Sequence, residues 1–329
     1  MRILLSRTDN IGDVIFTLPM AGVIKKYYPQ SKVYFLGKDY TRAIVECCSY
    51  IDGFYNFDEM KKEKFDVIIH VFPNKEVAFF AQKNKIPVRI GTNRRFFHWL
   101  TCNKLVNLTR KNSTLHEAQL NLKLLRPLQI HSHMPIEHIV NYYGFTQIAE
   151  CAPRFLSLID KNKFNLILHP KSKGSAREWS AQHYVELCSV LPKEKFNIFV
   201  SGTKEEEKEI QEKIISQCPH VTSVVGLFSL SEFISFIANC DGLIACSTGP
   251  LHIAAALGKR TLGLYPPIRN MMPARWGALG AQAENLTGFL STDLKNRLCT
   301  VEQCNRNTLC KCINGITPHS IANKVMGWV

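Results

Sequence analysis

The chain has 329 residues, enough for two domains with separate cores, and its 46% hydrophobic and 21% charged residues describe a soluble globular protein. The formal charge of +14 is shared between the halves, 22 Lys and Arg against 14 Asp and Glu in residues 1–160 and 19 against 13 in residues 161–329. That excludes a simple basic tail and suits anionic ligands or an anionic membrane face, while no nucleic-acid motif accompanies the charge.

Arg7 and Asp9 interrupt the first apolar run too early for a signal peptide, and no 18-residue apolar run exists to span a bilayer. A cytoplasmic protein is expected, its twelve cysteines mostly reduced thiols buried as small apolar residues. In chain order, residues 2–6 read as a strand and 13–26 as a helix, with Val14, Leu18, Ala21 and Ile24 at helical intervals. Strands follow at 33–37, 65–71 and 86–91, with helices at 42–48, 75–83 and 114–125, and a more polar stretch at 92–111. The second half repeats the alternation: strands at 166–169, 196–201, 243–246 and 261–265. Its helices start at Ser180, at the capping boxes Thr203/Glu206 and Ser229/Glu232, and at Thr317–Pro318. Strands alternating with helices imply parallel sheets covered on both faces.

The focal stretch is 241–258. Its apolar strand stops at Ser247, Thr248, Gly249 and Pro250, where Pro250 suits the first position of a short helix that Gly258 closes. A helix start at the C-terminal end of a strand offers free N–H groups to a phosphate or pyrophosphate, and His252 lies in that first turn. A lone histidine is more often a satisfied core residue; the anion-ready helix start favours the ligand reading here.

Ile11, Gly12, Asp13 and Val14 with Thr17, Leu18 and Pro19, and the run from Ser247 to Gly258, resemble glycosyltransferase family 9, best known for the lipopolysaccharide heptosyltransferases. The likeness continues through His116–Glu117, Arg177 and Trp179, Gly202 with Glu206, and Ile316 to Pro318. It implies an α/β GT-B fold, two Rossmann-like domains with parallel sheets facing an interdomain cleft. We expect an acceptor-binding domain over residues 1–155 and a nucleotide-sugar-binding domain over 156–329. It also implies inverting transfer, with Asp13 as the base that deprotonates the acceptor hydroxyl; a first-turn or N-cap acid explains the same residue without chemistry. Arg177 is suited to the charge growing on the leaving diphosphate.

Donor contacts are expected at Ser172, Lys173, Glu206, Phe228, Ser247, Thr248, Gly249 and His252, although a capping box explains Glu206 and core packing Phe228 equally well. Acceptor contacts are expected from Arg7 and Asn10, and from Arg94 and Arg95, whose guanidinium forks fit carboxylate and phosphate. Phe96, Phe97 and Trp99 beside them would face an acceptor's lipid or the membrane. No two aspartates are separated by one residue, so no metal and no cofactor are expected, only a nucleotide-sugar co-substrate such as ADP-heptose. Cys299, Cys304, Cys310 and Cys312 lack paired zinc spacing. The expected partners are the nucleotide sugar and an anionic glycolipid, at the cytoplasmic face of the inner membrane, with no nucleic acid.

Ser247 departs from the family, which commonly has Asp there. Two alternatives therefore stand beside heptosyl transfer to the lipopolysaccharide inner core: another nucleotide sugar on the same scaffold, or a non-catalytic nucleotide- or glycan-binding protein. A Rossmann dehydrogenase is disfavoured, because the first strand-helix turn, residues 8–13, lacks the three-glycine fingerprint.

Overall fold

The structure, a computed structural model, describes residues 1–110, 113–288 and 310–329 and divides into two compact units, Met1–Ile148 and Ala149–Val329. The first unit holds β1 (Arg2–Ser6), β2 (Lys32–Leu36), β3 (Gly53–Tyr55), β4 (Val67–His70), β5 (Val88–Thr92) and β6 (Lys104–Val106), in the sheet order β3-β2-β1-β4-β5-β6. The second holds β7 (Phe164–His169), β8 (Phe196–Val200), β9 (Thr222–Ser223), β10 (Gly242–Cys246), β11 (Arg260–Tyr265) and β12 (Ala283–Thr287), in the order β12-β11-β10-β7-β8-β9. Every ladder between these strands is parallel. Helices on both faces explain the unbroken apolar runs of the central strands: Ile3, Leu4 and Leu5 are buried, as are Leu243 to Cys246.

In each sheet the strand order reverses beside the unit's first strand, between β1 and β4 and between β7 and β10. Loops leaving the C-terminal ends of two such strands diverge to opposite faces, and ligands of open α/β sheets bind in the gap they leave. Most of the residues singled out from the sequence follow the C-terminal end of a strand in one of these sheets.

The expected helix over 13–26 is two helices, Ile11–Ile15 and Leu18–Tyr27. Pro19 has no N–H for the Ile15 carbonyl four residues back, and the Asp13 carbonyl is taken by the Thr17 hydroxyl at 2.9 Å. The stretch 92–111 is less irregular than its composition suggests, since it contains the helix Phe96–Thr101 and β6. The helix expected over 114–125 is Glu117–Leu122, capped by the His116 ring and continued as a 3₁₀ turn over Lys123–Leu128. Thr203 and Glu206 do form a capping box, opening a 3₁₀ turn, Lys204–Glu206, ahead of the helix Glu207–Lys213.

All ten cysteines among the described residues are free and buried; Cys299 and Cys304 lie outside them. Among the described residues no helix is long and apolar enough to cross a membrane, and no group of three or more His, Cys, Asp or Glu side chains is arranged to hold a metal ion.

Candidate active site

In the first unit, β1 ends at Ser6 and delivers Arg7 into a cluster of charges. The guanidinium is 3% exposed and fully engaged. Its Nε donates to Asp9 at 2.7 Å, Nη1 to Glu117 at 3.2 Å and to Asn121 at 3.3 Å, and Nη2 to the Asp13 carboxylate. Arg110 binds the same groups from the other side, giving Nε–H to Glu117 at 2.7 Å and Nη2–H to Asn121 at 3.0 Å and to the Val71 carbonyl, just past β4, at 3.2 Å. Asn121 returns its amide to the Phe16 carbonyl at 3.1 Å, tying the helix Glu117–Leu122 to the break between the first two helices. Asp13 sits in the first turn of Ile11–Ile15, whose N-cap is Asn10; the Asn10 side chain makes no capping bond and is exposed.

Two cations therefore face three carboxylates. Burial pushes the Asp13 carboxyl up, Arg7 pulls it down, and Asp9 and Glu117 push it up again, leaving it at about 6 instead of the ordinary 3.8. Arg7 is held above its usual value because Asp13, Asp9 and Glu117 outweigh the burial that opposes its charge. A carboxylate that is ionised at neutral pH yet sits within about a unit of it can accept a proton and give it up again. Asp13 remains 14% exposed, whereas Glu117 is sealed at 0%. Arg94 and Arg95 lie elsewhere in the unit, exposed beyond the end of β5, two strands from β1.

In the second unit the focal stretch forms β10, a sharp turn and the helix Gly249–Ala256. Thr248 is its extended N-cap, so Gly249 takes the first helical position and Pro250 the second, one place later than expected. Gly258 is left-handed at φ +72°, with nothing within 4 Å of a would-be Cβ, which agrees with its closing role. The Thr248 hydroxyl is buried without a hydrogen-bond partner, and His252 is buried one turn into the helix. The Ser247 hydroxyl lies close to the phenol of Tyr265 and works against the rise in that phenol's proton affinity that burial causes.

The loop after neighbouring β7 folds against this turn: the Trp179 backbone N–H points at the Cys246 sulfur, and the Trp179 indole donates to the Ile316 carbonyl at 2.9 Å. Arg177, two residues earlier, is buried. Glu178 organises the rest of the loop by accepting from the Ser172 N–H and hydroxyl, at 2.8 and 2.9 Å, and from Lys171 at 2.8 Å. Lys173 instead points outward to Glu205 at 3.1 Å. Glu206, past β8, accepts from the Thr203 N–H at 2.8 Å and hydroxyl at 3.0 Å. Phe228, past β9, lies 4.4 Å from Phe155, 4.9 Å from Phe236 and 5.5 Å from Phe233, centroid to centroid. The expected donor residues thus line the C-terminal edge of four adjacent strands, β10, β7, β8 and β9 in that order.

Residues 56–309 match the sequence profile of glycosyltransferase family 9 (heptosyltransferase). The chain belongs to glycosyltransferase family 9. Among similar proteins of Haemophilus influenzae, one named "Putative glycosyltransferase" is 29% identical over 296 residues, 84% of this chain and 85% of its own. The lipopolysaccharide core heptosyltransferase OpsX of the same organism is 24% identical over 280 residues, 79% of this chain and 77% of its own. The solved structure of Escherichia coli ADP-heptose lipopolysaccharide heptosyltransferase II superposes with a TM-score of 0.74 at 16% identity, covering 100% of this chain and 98% of that one. At that identity the likeness is one of fold, and the fold of this family 9 chain is GT-B.

Sequence reasoning singled out Arg7 and Asp13 but missed their partners Asp9, Arg110 and Asn121, and it assigned no role to Glu117. The family pair His116–Glu117 was the available signal. Two residues that close a charge network 110 positions apart leave no local pattern.

Proposed function

We propose that this family 9 chain is a metal-independent, inverting heptosyltransferase that moves heptose from ADP-heptose onto the inner core of lipopolysaccharide, at the cytoplasmic face of the inner membrane. The observation that carries the reading is the Asp13 carboxylate at the switch point of the first sheet, poised at about 6 by burial and by Arg7, Asp9 and Glu117. The relatives support the rest: one is a lipopolysaccharide core heptosyltransferase, and a structure of the same fold is an ADP-heptose lipopolysaccharide heptosyltransferase.

In this mechanism the Asp13 carboxylate takes the acceptor hydroxyl proton as that oxygen bonds to the anomeric carbon, and the carbon-oxygen bond to ADP breaks on the opposite face with inversion. Arg7 is a positioning residue whose occupied guanidinium aims Asp13 and keeps its proton affinity from rising further. The first unit takes the acceptor, with Asn10 and the exposed Arg94 and Arg95 available to its anionic groups.

The second unit takes the donor. Free N–H groups at the start of Gly249–Ala256, the Thr248 hydroxyl and His252 receive the diphosphate, and Arg177 offsets the charge that grows on it. Four strands about 4.8 Å apart span roughly 15 Å along the sheet edge, the reach of an extended nucleotide sugar. In this reading Ser172 and Lys173 serve the phosphate side of the donor, with Glu206 and Phe228 toward the nucleoside.

Ser247 favours a second reading. It brings no carboxylate to the sugar hydroxyls, so a donor other than heptose on the same scaffold is the alternative. Single-turnover assays with ADP-heptose and a panel of other nucleotide sugars, using wild type and Asp13→Asn, test both. Turnover of another sugar that still depends on Asp13 selects the second reading. Nucleotide binding without any turnover leaves only a binding protein.

A further inference from the structure

Five of the eleven exposed large apolar side chains among the described residues fall within residues 72–100: Phe72, Phe79, Phe96, Trp99 and Leu100. The sharpest group is on the helix Phe96–Thr101. Phe96, Trp99 and Leu100 are 80%, 60% and 55% exposed at positions i, i+3 and i+4, one face of the helix, while His98 and Thr101 are buried beneath. This face is held in place. The Trp99 indole donates to the Asn93 carbonyl at 2.9 Å, so the ring has its polar edge satisfied and its apolar surface outward. Gln82, three residues after Phe79 on the packed helix Lys75–Lys83, donates to the Leu100 carbonyl at 2.6 Å.

Charge gathers in the same segment. Residues 72–108 carry seven Lys and Arg against the single Glu76, a net +6 of the chain's +14, and six of those seven cations are exposed. Arg94 and Arg95 immediately precede the apolar face, and Lys104 follows it.

We propose that this surface docks the protein on an anionic lipid bilayer, with Phe96, Trp99 and Leu100 entering the boundary between headgroups and acyl chains and the surrounding cations meeting lipid phosphates. A bilayer presents an anionic layer over an apolar one, the complement of an apolar helix face ringed by cations. A second copy of the chain would set one such basic segment against another, which charge opposes. The surface begins past the C-terminal end of β5, two strands and about 10 Å from the end of β1 that carries Arg7. In that one respect the inference rests on the proposed function, because a lipid-anchored acceptor would then be presented near Asp13.

The test is co-sedimentation of the full chain with phosphatidylglycerol-containing vesicles and with pure phosphatidylcholine vesicles, at about 0.05 M and about 0.5 M salt. The wild type should bind the anionic vesicles, more weakly at high salt, and bind phosphatidylcholine far less. Phe96→Ser combined with Leu100→Ser should lower the partition coefficient by roughly tenfold or more. Arg95→Ala should lower it by about fivefold. Both sets are exposed, and circular dichroism checks that the fold persists. Anionic vesicles should also shield Trp99 from acrylamide, a change that Trp99→Phe removes.

Failure of the wild type to bind, equal binding by Phe96→Ser/Leu100→Ser, or self-association abolished by the same pair would each overturn the proposal. No donor or acceptor enters the assay, so its failure leaves the transferase reading standing, and an inactive enzyme that still binds vesicles leaves the docking surface standing.

Discussion

The two switch points are built from opposite materials. At the end of β1, five ionised groups crowd together, the central one nearly sealed, and every nitrogen of Arg7 has a protein partner. At the end of β10 the turn offers a buried hydroxyl without a partner, a histidine and a helix start, with no carboxylate between Ser247 and Ala256. A group that must exchange a proton near neutral pH needs neighbours that set its affinity, and charges do that at the cost of desolvation. A helix start instead suits an anion through its backbone N–H groups, with Glu178 the acid that approaches this turn from the loop after β7. The first is a saturated charge network; the second is an uncharged turn that keeps a buried Thr248 hydroxyl without a partner.

Breaking the tuned site should have the largest effect. Asp13→Asn should lower kcat by about 10²–10⁴-fold while leaving ADP affinity and melting temperature nearly unchanged, because Asn keeps the size but not the basic oxygen. Single-turnover rates beside calorimetric ADP binding check this; a rate within a few-fold of wild type would make Asp13 structural only. Perturbing the turn after β10 should do the reverse. His252→Ala should weaken ADP by about 1.5–3 kcal/mol, a charge-assisted hydrogen bond, with the fold intact. Unchanged affinity in a calorimetric titration of the folded variant would remove His252 from the donor site.

Acid should reveal a third contrast. Burial first, then His98 and Arg89, drive His70 down to about 3, and neither of its ring nitrogens is hydrogen-bonded; His169 in the second unit is driven down to about 4 but shares Nδ1 with Ser201 at 3.0 Å. Each is neutral when folded and takes up a proton when unfolded. The stability this gives is complete above about 6.5 and is lost as pH falls toward the folded values. Between pH 7 and pH 5 His70 should cost the fold about 2 kcal/mol, and His70→Leu should remove that part of the slope while the part due to His169 stays. Urea midpoints at the two pH values measure it, and an unchanged slope would show that His70 is reached by solvent.

The smallest effect sharpens the tuning itself. Because Asp13 titrates near 6, kcat/KM should fall as pH drops through that value, the protonated carboxyl being far too weak a base to take the acceptor's proton. Asp9 is one of the charges holding Asp13 up, so Asp9→Asn should move this limb to lower pH by less than a unit. A limb that stays in place would mean that burial alone sets it.

Much of this was legible beforehand, and what was not has a pattern. The four strands that hydrophobic patterning misses, β3, β6, β9 and β12, are the four edges of the two sheets. They run two to five residues and are less continuously apolar, as in Ala283 to Thr287, because an edge strand pairs on one side only. The central strands, buried on both faces, announce themselves as apolar runs. The turn after β10 was likewise readable, since Thr248, Gly249 and His252 fall within five consecutive residues where a strand stops at a helix start.

The sequence by itself determined the alternation of strand and helix, the two-part organisation, the anion-ready turn after β10 and the family to which the chain belongs, because each depends on residues close together in the chain or on motifs in order. Only the tertiary structure decided how Asp13 is poised. Its proton affinity is set first by burial, then by Arg7 six residues away, by Asp9 and by Glu117 more than a hundred residues away, brought together by the helix Glu117–Leu122 and the Arg110 that braces it. The same holds for Arg7, expected among the acceptor contacts, whose nitrogens each reach a carboxylate or amide of its own chain once folded. Charge interactions act through space, and the distances they act over are fixed only when the sheet and its covering helices close.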